Sequence, residues 1–361
     1  MTFAEARARF PVLERLAYLN AGTFGPLSRA SVEAITAEER RAGEEGRVGL
    51  PYFERVLALR SRVRERIAAE IRVAPEQLAL TDSTTTGCNI VLAGLGLGPD
   101  DEVVTTETEH FGLLGALIAS PARVRVARLE RTTGDEAVDR LLAEVGPRTR
   151  LLAVSHVSWI TGHRLDLDRL GRESGVAVLV DGAQAAGAIG VEAPAVDFYT
   201  VSGQKWLCGP DSTGALFVAD PERLAVARPS YFSQTSVDFA APAFEPKPGA
   251  PRFDSGWTPL PSLAGLDAAF DDLPEWRFAR AAETAARCRD LLAERHEVIT
   301  DPGHATLVSF RPRGEAAEAA KRLYERGVAI RDLPGTGLLR VSCGWWTSDE
   351  DLERLVAGLE R

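Results

Sequence analysis

Basic charge in this 361-residue chain is almost all arginine: of 42 basic residues only Lys205, Lys247 and Lys321 are lysines. Cysteine is sparse as well. Cys88, Cys208, Cys288 and Cys343 lie far apart with no Cys-x-x-Cys pair, and the five histidines show no ligand spacing. No metal site is therefore expected, and the thiols read as buried and free. No apolar run approaches the ~18 residues of a membrane span, and the opening MTFAEARARF is acidic and arginine-bearing, unlike a signal peptide. A cytoplasmic location with no membrane partner is the expectation. The formal net charge of −10 denies the chain a broad basic footprint, so nucleic acid is not an expected partner, while a local basic pocket for a small anion stays compatible with it.

What is present points to an α/β protein. The length exceeds the usual single-core size, which favours two domains. Short apolar runs at Leu78 to Thr81, Glu102 to Thr106, Val124 to Ala127, Leu151 to Ser155, Val176 to Asp181, Phe198 to Ser202 and Gly214 to Val218 read as strands. Helical spacing at Thr84 to Leu95, Asp135 to Glu144 and Asp166 to Ser174 supplies crossovers, and crossover helices impose a mostly parallel sheet with helices on both faces. The proline-bearing stretch from Ala240 to Pro251 reads as a connector. The division expected is a large α/β domain over 18–249, and a small α+β domain over 250–361 joined by residues 1–17. A capping box of Thr347 and Glu350 is expected to open a last helix carrying Leu352, Leu355, Val356 and Leu359 on one face.

The most telling lysine is Lys205, in Ser202-Gly203-Gln204-Lys205-Trp206. It follows an apolar run that ends in Asp181-Gly182-Ala183-Gln184. A lysine that forms a Schiff base needs a desolvated, electropositive pocket to lower its amine pKa, and a pyridine ring nitrogen needs a carboxylate to stay protonated. Lys205 and Asp181 supply both, which reads as a pyridoxal 5'-phosphate site. Ser83-Thr84-Thr85-Thr86-Gly87 follows a strand and opens a helix, where backbone amides and hydroxyls bind a phosphate dianion. Asp181 lies at the carboxyl end of its strand, where open α/β sheets place ligands.

With Tyr18-Leu19-Asn20-Ala21-Gly22, LTDSTTTGCN, TTETEH, VSHVSWITG, DGAQAAG, DFYTVSGQKWLCGP, RFDSGWTP and LLRVSCGWW, the chain resembles the class V aminotransferase family of fold-type I pyridoxal phosphate enzymes. The resemblance is to the branch holding cysteine desulfurases, kynureninases and isopenicillin N epimerases, and it runs from residue 18 to 346. DGAQ followed by SGQKW is its specific part. The resemblance implies phosphate contacts from Thr84, Thr85, Ser202 and Gln204, ring stacking and proton transfer by His110, and a ring-hydroxyl contact from Gln184. It also implies a grip on the substrate carboxylate by Arg340, and an N-terminal segment bearing Asn20 over the site. It further implies a homodimer in which Thr258 reaches the neighbouring subunit's cofactor. Three departures stand out. Gln204 replaces a common histidine, Trp159 replaces a common asparagine and offers an apolar wall to the substrate, and Arg331 to Arg340 (RDLPGTGLLR) lacks the cysteine of the desulfurase loop. The expected activity is β-elimination from an α-amino acid, of the carbon–sulfur lyase type, with amino-group transfer or epimerisation as alternatives and desulfuration disfavoured.

Overall fold

The computed structural model describes residues 1–129, 132, 134–303 and 305–360. Its centre is a seven-stranded sheet in the order Leu78–Thr81, Gly214–Val218, Phe198–Ser202, Ala177–Asp181, Thr149–Ser155, Glu102–Thr106, Arg123–Ala127. Only Gly214–Val218 runs antiparallel to its neighbours. Successive residues of these strands enter opposite layers because the side-chain period is two. Ala79, Val103, Leu151, Leu179 and Leu216 join the layer under helices Thr84–Gly94 and Phe111–Ala119. Leu80, Val104, Leu152, Val180 and Phe217 join the layer under helices Gly49–Glu70, Gly134–Ala143 and Leu167–Glu173. Burial on both faces explains why the runs read as continuous apolar stretches.

A second sheet, Glu297–Val298, Leu307–Arg311, Leu338–Ser342, Arg331–Leu333, is antiparallel throughout and shares an apolar layer with helices Arg277–Ala293, Ala316–Glu325 and Asp349–Leu359. The start of the chain ties the two sheets together. Ala17 and Tyr18 pair with Val328 and Ala329, Asn20 bridges to Ser342, and the Gly25 amide donates to the Gln204 carbonyl at 2.8 Å.

Helices Arg29–Glu45, Gly49–Glu70 and Phe111–Ala119 were not anticipated. The connector expected from Ala240 to Pro251 holds one strand of an antiparallel hairpin, Gln234–Asp238 with Ala243–Pro246. Beyond it, Phe253, Leu263 and Leu266 pack in the large sheet's two layers. The last helix is capped one residue later than expected. Ser348 accepts from the Asp351 amide while Asp351 accepts from the Ser348 amide, because Ser348 is the residue with extended backbone.

Asp254 fixes the segment that leads to Thr258. It is fully buried and accepts from Arg60 at 2.9 Å, Arg64 at 2.9 Å and the Leu80 amide at 2.8 Å. Removing it strands Arg60, itself 4% exposed, as an uncompensated buried cation. Asp254→Ala is expected to lose roughly 3–5 kcal/mol in urea unfolding; a loss under about 1 kcal/mol, the size of an exposed pair, would refute this anchoring.

Candidate active site

The carboxyl ends of the parallel strands supply the first groups. Asp181 ends its strand 3% exposed, with Oδ1 accepting from the Ala183 amide at 2.9 Å. A Cβ at Gly182 would lie 2.2 Å from the Tyr199 ring, so the turn after Asp181 accepts only glycine without a shift. Lys205 follows the neighbouring strand in a loop closed by the Gly203 amide on Thr213 at 2.8 Å and the Gly209 amide on Gly203 at 2.9 Å. Gly25 lies so close that a Cβ there would meet the Lys205 carbonyl at 2.0 Å. The N-terminal segment thus packs on the backbone of the lysine loop, and Lys205 itself is half-buried. Burial lowers the Lys205 amine to about 8, opposed by Asp181 and reinforced by Arg340 and Arg331.

Arg340 comes from the small sheet and is 1% exposed. Its Nη1 donates to the Trp159 carbonyl at 2.9 Å, whereas Nε and Nη2 have no partner among the described residues. Burial, then the charge of Arg331, holds its guanidinium down to about 9. The backbone at Gly22 crosses directly over it, and a Cβ there would sit 2.7 Å from Nη2. Gln184 donates to the Gly22 carbonyl at 2.8 Å and accepts from the Trp206 indole at 3.1 Å, so one of its amide hydrogens remains for a ligand. Asn20 has its side-chain oxygen engaged by the Thr23 hydroxyl at 2.9 Å.

On the opposite side Ser83 caps helix Thr84–Gly94 by accepting from the Thr86 amide, with Thr84 buried and Thr85 exposed. Ser202 donates to Gln204 at 2.7 Å. His110 caps the next helix, its Nδ1 accepting from the Gly112 amide at 3.1 Å, which places the ring proton on Nε2. Burial, then Lys205, lowers its pKa, with Asp181 opposing and Arg331 and Arg340 adding to it. The ring meets Trp159 edge-on at 5.2 Å, and the residue is exposed. The structure therefore gathers Lys205, Asp181, His110, Gln184, Trp159 and Arg340. Thr258 stands apart, buried beside Trp257 and Leu260 on a cavity lined by Tyr52 and Arg55.

These residues fit the pyridoxal phosphate that the resemblance implies. A desolvated lysine, a buried carboxylate, an open imidazole face, an uncapped pair of guanidinium donors and a Ser/Thr-rich helix start each answer one part of such a group or of an amino acid beside it.

Comparisons with known proteins agree with this geometry. The model of the family described as Aminotransferase class-V matches residues 41–355. Isopenicillin N epimerase of Streptomyces clavuligerus is 30% identical over 391 residues, 99% of this chain and 97% of that protein. Cysteine desulfurase CsdA of Escherichia coli is 28% identical, over 99% of this chain and 97% of its own. Among solved structures, the complex between the cystine C–S lyase C-DES and its reaction product cysteine persulfide has a TM-score of 0.90 at 28% identity, over 97% of this chain and 98% of that one. A CsdA crystal structure has a TM-score of 0.84 at 25% identity, covering 100% and 98%.

One buried acid escaped the sequence reading. Glu109 is 8% exposed and accepts from the Ser155 amide and hydroxyl at 3.0 and 2.5 Å and from the Thr106 hydroxyl at 2.7 Å. Burial drives it up to about 7, with those hydrogen bonds opposing and the Asp181 charge adding to the rise. A raised folded pKa means that the folded state holds a proton the unfolded state has released. The stabilisation is complete below about 4.5 and is lost as pH climbs through about 7. Comparing urea midpoints at pH 5 and pH 7, the wild type is expected to lose up to about 1.4 kcal/mol per pH unit more than Glu109→Gln; parallel slopes would overturn this.

Proposed function

The chain belongs to the class-V aminotransferases, a family of pyridoxal phosphate-dependent enzymes, and on that premise we propose that it is a lyase eliminating a β-substituent from an α-amino acid, of the carbon–sulfur type. The observation that carries this reading is the hairpin between Arg331–Leu333 and Leu338–Ser342. Only Pro334 to Gly337 close it, so no cysteine stands there to accept sulfur, and all four cysteines of the chain are buried. The likeness to a cystine C–S lyase supports the same reading.

When bound, pyridoxal phosphate supplies an aldehyde for an amine and an electron-withdrawing ring that acidifies the α-C–H of an attached amino acid. The protein's part is positional and electrostatic. Lys205, with its amine lowered to about 8, is the tether for that aldehyde and, once released, the base for the α-proton, since roughly a tenth of such an amine is already neutral at pH 7. Asp181 keeps a proton on the ring nitrogen. The helix start at Thr84 and Thr85, with Ser202 and Gln204, holds the phosphate, and Gln184 offers its free amide hydrogen to the ring hydroxyl. Arg340 uses its two unpaired donors on the α-carboxylate. The open face of His110 stacks on the ring, and Trp159 excludes water beside it.

Epimerisation is the second reading, favoured by the isopenicillin N epimerase relative. The reactions part after the α-proton leaves. Ammonia release from S-substituted cysteines, with cofactor present and no keto acid added, is expected to continue over many turnovers and to fall about 10²–10⁴-fold in Lys205→Ala. Asp181→Ala is expected to bind cofactor weakly and to be nearly inactive. A halt after one turnover with the cofactor left as its amine would make the enzyme an aminotransferase; inversion without ammonia would make it an epimerase.

The reading includes a homodimer. Trp257 is 53% exposed and Tyr231 61%, stacked on each other at 5.9 Å, and they offer an apolar surface to a second copy; the family resemblance assigns Thr258, buried beside Trp257, to that copy's phosphate. Sedimentation velocity at micromolar concentration is expected to give a dimer; a monomer would remove Thr258 from the cofactor set.

A further inference from the structure

Arg331 has no part in the mechanism above. It stands directly opposite Arg340 across the antiparallel ladder, so both side chains leave the same face of the small sheet. Like charges opposed in this way are destabilising, and neither guanidinium is paired with a carboxylate among the described residues. Arg331 donates from Nη1 to the Thr23 hydroxyl at 3.1 Å, and Arg340 donates to the Trp159 carbonyl. Both acceptors are neutral. The next residue of the row, Ser309, lies opposite Arg340 on its other side, and neither its buried hydroxyl nor the buried Trp159 indole N–H has a partner among the described residues. Unspent donors beside two adjacent cations suit the binding of more than one negative charge.

A single α-carboxylate neutralises Arg340 and leaves Arg331 in excess. Arg331 is the less buried of the two, and Thr23, bonded in turn to Asn20, fixes its direction at the pocket's edge. Resting on the reading of Lys205 as the centre of an amino-acid site, we propose that the preferred substrates carry a second carboxylate on the side chain, and that Arg331 is the residue that selects it. The repulsion that Arg331 exerts on Arg340 and on Lys205 is then relieved only when both anions are in place. That couples substrate charge to occupancy.

Calorimetry on the cofactor-loaded enzyme with unreactive acids tests this. Succinate and glutarate are expected to bind about tenfold or more tighter than butyrate, the gain of one charge-assisted contact, with the ratio falling to about one in Arg331→Gln and shrinking less in Arg331→Lys, which keeps the charge. A wild-type ratio near one, or a ratio unchanged in Arg331→Gln, overturns the proposal, and the wild-type measurement decides even where a variant does not fold. Borohydride fixation of the cofactor followed by peptide mapping reads the other premise separately. Cofactor fixed on Lys205 with no dicarboxylate preference would sink the role of Arg331 alone, while a preference that holds with no cofactor on Lys205 would sink the enzyme reading and leave the arginine pair standing.

Discussion

A guanidinium buried without a counter-charge is the constraint around which this molecule is arranged. Desolvating a cation costs several kcal/mol, and only a tight hydrogen-bonded partner offsets it. Among the described residues Arg340 is given one backbone carbonyl and nothing else. The protein tolerates that cost because everything touching Arg340 belongs to elements stabilised elsewhere. Its strand is central in the small sheet, its carbonyl partner sits in the loop after a strand of the large sheet, and the backbone over it is anchored by Ser342 Oγ accepting from Gly22 at 3.1 Å. The site is thus built from three separate parts of the chain that meet at one charge, with folding energy from two cores holding it short of satisfaction.

The N-terminal segment makes that meeting possible. Between Ala17 and Gly25 it pairs with Val328 and Ala329, bridges to the small sheet at Ser342, crosses Arg340 at Gly22, accepts from Gln184, and docks on the lysine loop at Gly25. Gly22 and Gly25 are required by distance, since a Cβ at either would meet Arg340 or the Lys205 carbonyl inside van der Waals contact. The same close packing adds to the burial that depresses the Lys205 amine. Local sequence, packing and reactivity are one chain of cause here.

How much of this was legible beforehand depended on whether the signal was local. Asp181, Lys205 and the Thr84 helix start each follow an apolar run at a strand's carboxyl end, and a strand of four to seven residues buried on both faces is hard to mistake. Glu109 and Arg331 were missed because their meaning lies in partners far along the chain: Ser155 for the first, and Arg340 with Thr23 for the second. An arginine in an arginine-rich chain carries no mark of what stands opposite it. Helix Phe111–Ala119 has apolar residues nearly all round, so its period was invisible, and the cap at Ser348 rather than Thr347 turned on backbone dihedrals that no residue identity specifies. Gln184 was legible as a site residue, but its bonds to Gly22 and Trp206 were not.

The charge balance of the pocket follows from these placements. Lys205, Arg340 and Arg331 are three basic groups acting on one another, and the one opposing charge that acts on Lys205 is Asp181. Glu109 is held partly protonated by burial and by that same Asp181, so it adds little negative charge to the balance. His110 is lowered toward the neutral form first by burial and then by the same cations, with Asp181 opposing. The pocket is therefore electropositive within a chain that is acidic overall, and burial of Arg340 and Asp181 limits the screening of the excess. Such a field attracts anions before any specific contact forms. It also raises the neutral fraction of the Lys205 amine, the protonation state an amine needs in order to attack a carbonyl carbon or accept a proton from carbon. Anion capture and amine activation here come from the same unbalanced arginines, so a change that neutralised them to gain stability would remove both.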